Sequence, residues 1–269
     1  MTADPPRPAP PPEPAGHDLL AGKVAIVTAA AGTGIGSATA ARLLAEGATV
    51  VVSDAHERRL AERAAELAEA ATAAGGEPPL AVPCDVTDED QVQALFAAAV
   101  ERHGRVDVVV NNAGLGGTAD LTDMTDDQWH RVVDVTLNGT FRCTRAALRL
   151  LCPQGSGVVV NNASVLGWRA QAGQAHYAAA KAGVMALTRS AAIEAAPFGV
   201  RVNAVAPSLA MHPFLAKVTS DELLDELAAR EAFGRPAEPW EVATVIAFLA
   251  SDYASYMTGE VVSVSSQHP

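Results

Sequence analysis

VAIVTAAAGTGIG, residues 24–36, is the stretch from which the rest of the chain can be laid out. Val24 to Thr28 is a short apolar run rich in β-branched residues, the pattern of a buried parallel strand. Ser37 to Glu46 follows as a helix that stops before Gly47. Strand, glycine turn and helix in that order are the context in which a glycine-rich loop carries meaning. Without side chains at Gly32, Gly34 and Gly36, the backbone of Gly32, Thr33, Gly34, Ile35 and Gly36 can approach a pyrophosphate closely, helped by the helix N-terminus. Glycine-rich turns also serve as simple connections, so the loop needs company.

Its first company is Asp54, at the end of a second strand (Thr49 to Ser53) and 18 residues beyond Gly36. A carboxylate there accepts hydrogen bonds from both hydroxyls of an adenosine ribose and repels a 2′-phosphate. No basic residue sits in the glycine loop, and Arg58 and Arg59 fall on the next helix, where they are expected to face solvent. The reading is NAD rather than NADP; the plainer alternative is a turn aspartate capping that helix.

The alternation continues. Helices are expected over Glu57 to Ala74, Asp88 to His103, Asp126 to Leu151, His176 to Ala196 and Pro239 to Ala250, with a helical patch near Asp221 to Arg230. Strands are expected over Leu80 to Pro83, Val106 to Val110, Val158 to Val160, Arg201 to Ala206 and Glu260 to Val264. Seven strands alternating with helices specify an α/β fold, a doubly wound parallel sheet with helices on both faces. Residues 208–235 break the rhythm beyond a strand carboxyl end, where such folds bind ligands, and are read as a substrate lid.

Composition narrows the function classes. At 269 residues with 49% hydrophobic content, the chain fits one domain, placed at 19–269. A net charge of −12 argues against nucleic acid or an anionic membrane surface. There is no 18-residue apolar run to span a membrane. Cys84, Cys143 and Cys152 are odd in number and widely spaced, as reduced thiols of a cytoplasmic protein would be, and no pair has zinc-ligand spacing. Residues 1–18 are proline-rich and lack the parts of a signal peptide; they read as a mobile tail outside the fold.

The chemistry is placed between Ser164 and Lys181, SVLGWRAQAGQAHYAAAK. Tyr177 and Lys181 are four apart, on one helix face. A free phenol titrates near pKa ~10, about three units too high for a base at neutral pH. A lysine charge at ~4 Å and an effective dielectric of ~20 is worth roughly 4 kcal/mol, which is about that difference. Lys181 is one of only three lysines, with Lys23 and Lys217. Ser164 follows the Val158 to Val160 strand and can aim its hydroxyl at the same point. Singly, these residues would be helix surface and a turn serine. His176, about 100° off the Tyr177 face, reads as structural.

Together these residues resemble the short-chain dehydrogenases/reductases over about residues 20–266. The likeness rests on the glycine loop opening with Thr28, Asp54, Asp85-Val86, NNAG at 111–114, Ser164 before Tyr177, YxxxK, and RVNAVAP from Arg201. The resemblance implies a single-domain Rossmann fold in which Tyr177 exchanges a proton with a substrate hydroxyl or carbonyl. Ser164 would hydrogen-bond that oxygen, and Lys181 would lower the tyrosine pKa and hold the nicotinamide ribose. Asp85 and Val86 would contact adenine, and Asn112, Ala113 and Gly114 would line the cofactor cleft. Thr28 and Pro207 complete the cofactor set.

The chain departs from the family at four places. Ala29 stands where glycine is usual, with one extra residue before Gly34. Thr136 stands where a fourth catalytic residue, an asparagine, is usual; its carbonyl can still hold a water in a proton relay, and Asn138 points elsewhere. Ser208 replaces the glycine after Pro207, and SVSS replaces an acidic-glycine ending. LGWRAQ, SLAMHPF and SVSSQ look like a bacterial subgroup of steroid catabolism, whose enzymes oxidise a ring hydroxyl on CoA thioesters of partly degraded C and D rings. Trp168, Met211, His212 and Phe214 would then meet a bulky alicyclic substrate, although such residues in a lid often only pack. A homotetramer or homodimer through the helices Asp126 to Leu151 and His176 to Ala196 is implied. The competing readings are an NADPH-linked 3-oxoacyl-thioester reductase and a non-catalytic dinucleotide-binding regulator.

Overall fold

The protein is described as a computed structural model covering residues 9–73, 75–211 and 221–267. Seven strands form one parallel sheet: β1 (Val24–Val27), β2 (Thr49–Asp54), β3 (Leu80–Pro83), β4 (Val108–Asn111), β5 (Gly157–Asn162), β6 (Val200–Pro207) and β7 (Val261–Val264). Their order across the sheet is β3-β2-β1-β4-β5-β6-β7. The helices are α1 (Ile35–Ala45), α2 (Glu57–Ala73), α3 (Glu89–His103), α4 (Asp126–Val133), α5 (Gly139–Gln154), α6 (Ala175–Ala195), α7 (Asp221–Ala229) and α8 (Pro239–Ala250).

Strand side chains alternate between two cores, which is why these strands read as unbroken apolar runs. Val27, Val52, Val110 and Val160 pack beneath α1 and α8 with Leu43 and Ile246, while Ile26, Val51, Val109 and Val159 pack on the opposite face with Phe96 and Ala147. The chain reverses its direction of travel across the sheet between β1 and β4. The carboxyl ends of those two strands therefore form the crevice where open α/β sheets bind ligands.

The tail is not wholly outside the fold. The guanidinium of Arg42 on α1 donates to the Pro14 carbonyl at 2.5 Å and the Ala15 carbonyl at 3.3 Å, and pairs with Glu46. Glu46 accepts the backbone N–H groups of His17 at 2.8 Å and Leu19 at 3.2 Å. Both side chains are buried, and Gly16 lies so close to α1 that an added Cβ would come within 1.9 Å of the Ala45 carbonyl oxygen. A buried ion pair needs its remaining donors and acceptors satisfied, and the strap of residues 14–19 supplies them. The domain thus begins by Pro14 rather than at residue 19.

The expected long helix from Asp126 is interrupted by a π turn, Asp134–Asn138, before α5. One residue more than an α-helix accommodates is inserted there, with the Gly139 N–H reaching back to the Asp134 carbonyl. Gly139 presses on Val86, where an added Cβ would lie 2.5 Å from Cγ2, and Thr136 turns inward. Asn138 stays exposed and donates to Asp134 at 3.1 Å.

Candidate active site

At the crevice, β1 and β4 are laced together by side chains that double as its floor. The buried Thr28 hydroxyl accepts the N–H groups of Asn112 at 3.0 Å and Ala113 at 3.1 Å and lies 3.4 Å from the Val110 carbonyl, to which it donates. Its side chain is therefore a brace between β1 and β4. The Asn112 amide donates to the carbonyls of Thr28 at 3.2 Å and Ala29 at 3.1 Å and accepts from Asn162 at 2.9 Å. Ala29 is left-handed, with φ of 52°, at the position where the family favours glycine.

The glycine loop fits a dinucleotide's diphosphate. Gly34 opens α1 with no side-chain cap, so the first helical N–H groups remain available, and a Cβ added at Gly32 would meet only the Gly34 nitrogen, at 3.9 Å. Thr33 and Ile35 complete that turn. Gly36 is of another kind: its Cβ would fall 2.3 Å from Asn112 Nδ2 and 2.4 Å from the Ala29 oxygen, so it is required for the crossing of α1 over the brace. Asp54 ends β2 beside the loop and accepts the N–H groups of Ala31 at 3.2 Å and His56 at 3.0 Å. Burial raises its pKa, against the Ala31 hydrogen bond and the positive charge of Arg59. Asp85 holds Thr87 through one carboxylate oxygen, Oδ1, and Val86 is buried. Gly114 is exposed, Ala113 half-buried, and Pro207 ends β6 opposite Val264.

Across the crevice, β5 runs out at Asn162 and delivers Ser164, which caps a short 3-10 turn by accepting the Leu166 N–H at 3.2 Å. Tyr177 and Lys181 come from the first two turns of α6. Lys181 is buried; its ammonium donates to the Asn162 carbonyl at 2.5 Å and sits 5.5 Å from the centre of the Tyr177 ring. A Cβ on Gly114 would be 3.3 Å from that nitrogen and 3.9 Å from the Thr136 methyl, so these three residues share one corner. Thr136 is sealed in: its hydroxyl accepts the Leu115 N–H at 3.0 Å and lies 3.2 Å from the Leu115 carbonyl. Its own carbonyl, in the π turn, accepts the Thr140 hydroxyl at 2.8 Å.

The electrostatics differ from the simple picture of a phenol lowered by an ammonium. Burial pushes the Tyr177 pKa up, and hydrogen bonding with Ser164 pulls it partly back. Burial also brings Lys181 down from 10.5 to about 7. Near neutrality the amine is thus only partly charged, and it cannot by itself supply the three-unit drop expected from sequence. This has a measurable consequence for the protein without cofactor. Between the folded and unfolded pKa values, the unfolded chain holds a proton on Lys181 that the folded chain lacks, so stability rises with pH from about 7 toward 10. Below that window both states are protonated and the burial penalty is constant. Lys181→Met is expected to remove this rise, worth about 2–3 kcal/mol over two pH units. Urea midpoints of wild type and variant at pH ~7 and ~9 check it; parallel profiles would contradict it.

On the substrate side, Trp168 is exposed and Met211 half-buried, with the Met211 N–H donating to the Ala237 carbonyl at 3.0 Å. Ala210 and Ala237 bridge, so the insertion leaves and returns at one point. His212 and Phe214 lie outside the described residues. The sequence reading missed Asn162, whose carbonyl seats Lys181 and whose amide steadies Asn112. Its signal was the doubled asparagine ending both β4 and β5, with Asn111 and Asn161 in register and hydrogen-bonded at 2.8 Å.

This geometry can be set beside known proteins. A family model described as enoyl-(acyl carrier protein) reductase matches residues 29–266. The chain is 67% identical over 261 residues, 96% of this chain and 98% of the other, to a Mycobacterium tuberculosis protein. That protein is named (5R,7aS)-5-hydroxy-7a-methyl-1-oxo-2,3,5,6,7,7a-hexahydro-1H-indene-carboxyl-CoA reductase. The chain belongs to the short-chain dehydrogenase/reductase family. A cis-4-hydroxycyclohexanecarboxylate dehydrogenase of Sinomonas cyclohexanicum is 47% identical, over 92% of this chain and 96% of its own. A crystal structure of a short-chain dehydrogenase from Mycobacterium smegmatis superposes with a TM-score of 0.85 at 60% identity, covering 96% of this chain and 98% of that one. As a short-chain dehydrogenase/reductase, this chain is an oxidoreductase that interconverts a secondary alcohol and a ketone with a nicotinamide dinucleotide. No helix among the described residues is long and apolar enough to cross a membrane.

Proposed function

We propose that this short-chain dehydrogenase/reductase uses NAD on a carbocyclic alcohol or ketone that carries a carboxyl group, with a steroid-derived CoA thioester as the preferred form. The observation that carries the chemistry is the half-buried Tyr177, one helical turn from Lys181, whose ammonium lies 5.5 Å from the Tyr177 ring centre, with Ser164 delivered across the crevice at the end of β5. In the oxidising direction the Tyr177 oxygen takes the substrate hydroxyl proton while Ser164 donates a hydrogen bond to the substrate oxygen; in reduction Tyr177 gives the proton back and Ser164 still donates to the carbonyl oxygen. Lys181, anchored on Asn162, holds the ribose side of the crevice, and the dinucleotide when bound gives or takes the hydride. Ser164, Tyr177 and Lys181 are the catalytic set, with the Thr136 carbonyl as the water acceptor.

The substrate class is supported by two relatives whose names share a ring hydroxyl and a carboxyl function. NAD is supported by Asp54, whose carboxylate is tied to the glycine loop at Ala31 and would face a 2′-phosphate with like charge, a cost of several kcal/mol. Initial rates with cis-4-hydroxycyclohexanecarboxylate and its CoA thioester, each with NAD and NADP, test the reading. The thioester with NAD is expected to give the highest kcat/KM, with NADP at least about tenfold worse. Preference for NADP, or no turnover of either alcohol, would contradict it.

A homo-oligomer through α4, α5 and α6 belongs to the same reading. Trp129, Phe141 and Ile193 present exposed apolar surface on those helices. Light scattering should return a multiple of the 27.6 kDa chain mass, and a mass of one chain would count against it. Three free cysteines accord with a reducing, cytoplasmic setting.

A further inference from the structure

Helix α6, which carries Tyr177, opens at Ala175 without a side-chain cap from Gln174. The Gln174 amide is spent instead on the Thr118 hydroxyl, at 3.2 Å. The first N–H groups of a helix have no partner within it, and the N-cap side chain usually takes the second or third of them. In α6 the third belongs to Tyr177, and it donates to Nδ1 of His176 at 2.9 Å. The cap of this helix is therefore supplied from inside its own first turn, by the neighbour of the phenol-bearing residue.

His176 is 2% exposed, so its ring is held by what packs on it. A Cβ on Gly117 would come within 3.3 Å of Nε2 and 3.9 Å of Cε1, which places the outer edge of the ring against the 115–118 loop. That loop is pinned on both sides. The Thr136 hydroxyl accepts the Leu115 N–H and donates to the Leu115 carbonyl, and the Ala119 N–H donates to the Gly173 carbonyl at 3.1 Å. A line of contacts thus runs from Thr136 through Leu115, Gly117 and His176 to the backbone of Tyr177. The pinned loop backs the ring, and the ring caps the N–H.

We propose that His176 is a positioning residue for the reaction, its Nδ1 fixing the first turn of α6 and with it the direction of the Tyr177 phenol. The proposal rests on Tyr177 as the proton-transfer group. With no acceptor at 176, the Tyr177 N–H is left without its protein partner, and the turn opens or rotates to find another. Reacting groups are sensitive to such shifts: a displacement of ~1 Å costs about 10²-fold in rate. Lys181 is anchored separately, on the Asn162 carbonyl, so cofactor affinity should change little.

Three substitutions separate the acceptor from the ring. His176→Asn keeps an acceptor, Oδ1, on the same carbon that bears Nδ1, and loses the outer ring. His176→Phe keeps a ring and loses the acceptor, and His176→Ala loses both. With cis-4-hydroxycyclohexanecarboxylate and NAD, His176→Phe and His176→Ala should lower kcat about tenfold or more and leave the KM for NAD within about twofold. His176→Asn should stay within about threefold of the wild-type kcat. A merely structural histidine would instead rank the variants by lost packing, with His176→Phe above His176→Asn. Amide exchange supplies a reading that needs no substrate. Tyr177, Tyr253 and Tyr256 are the only tyrosines, so 15N-tyrosine labelling gives three amide signals. The Tyr177 N–H should exchange slowly in wild type and in His176→Asn, and at least about tenfold faster in His176→Ala. If His176→Phe does not fold, His176→Asn against His176→Ala decides, since both lack the ring. Wild-type kcat in His176→Phe, His176→Asn no faster than His176→Ala, or equal exchange in wild type and His176→Ala overturns the proposal. Should Tyr177→Phe also turn over at the wild-type rate, the catalytic reading of Tyr177 has itself failed; with Tyr177→Phe slow, only this inference has.

Discussion

Tyr177→Phe is expected to lower kcat by about 10²–10⁴-fold while leaving NADH affinity close to wild type. The substitution removes one oxygen and nothing else of the ring's packing. The Lys181–Asn162 contact at 2.5 Å does not involve that oxygen, so the ribose side of the crevice should keep its shape. Ser164 remains held by the Leu166 N–H. The measurement is a pair: fluorescence titration with NADH, and single-turnover rates on the preferred alcohol. Retained turnover would remove Tyr177 from the reaction, and loss of NADH binding would make its role structural.

The second large effect is Gly36→Ala. Its methyl would have to occupy the space between Asn112 Nδ2 and the Ala29 carbonyl, which are already hydrogen-bonded at 3.1 Å. Neither can yield cheaply: one is backbone, and the other belongs to the Thr28–Asn112–Asn162 brace between β1, β4 and β5. Overpacking of this kind costs typically 1–3 kcal/mol and more where backbone must move. Gly36→Ala should therefore lower Tm by at least several degrees, about 2–4 °C per kcal/mol for a chain of this size, and weaken NADH binding as well. Gly32→Ala is the control. Space is open there, so Tm should hold while the added methyl intrudes on the diphosphate cradle and weakens NADH binding alone. A wild-type Tm for Gly36→Ala would contradict this division of labour between the two glycines.

Much of the architecture was legible because it is written in short-range pattern. Val50–Val52, Val108–Val110 and Val158–Val160 are apolar on successive residues, which only a strand buried on both faces tolerates. The features that were not legible depend on what packs against what. The π turn leaves no periodic trace, because inserting one residue rotates the helix without changing its composition, and it is set by Thr136 bonding Leu115 and by Gly139 meeting Val86. Proline-rich composition signals a loose tail, and the residues that dock it, Arg42 and Glu46, look like an ordinary i, i+4 surface pair until both are seen buried.

In the site, the nearness of Tyr177, Lys181 and Thr136 follows from spacing and fold, and the energetics do not. YxxxK gives the helix face, but the sign of the tyrosine shift depends on burial, which outweighs the Ser164 hydrogen bond. The same burial explains why Lys181 titrates near 7 instead of acting as a permanent charge. Thr28 reads from the sequence as the residue that opens the glycine loop. Its hydroxyl accepts two backbone N–H groups, a fact of the pairing of β1 with β4 that lies 82 residues away in sequence from Val110.

The central claim is that one substrate oxygen sits between the hydroxyls of Tyr177 and Ser164. A crystal structure with NAD and cis-4-hydroxycyclohexanecarboxylate in the Tyr177→Phe variant examines it directly. The ring hydroxyl should lie within hydrogen-bond reach of Ser164 Oγ, at roughly 2.5–3.0 Å, and point at the vacated phenol position. A bound alcohol whose oxygen approaches neither residue, with the ring lodged elsewhere in the crevice, would contradict the account.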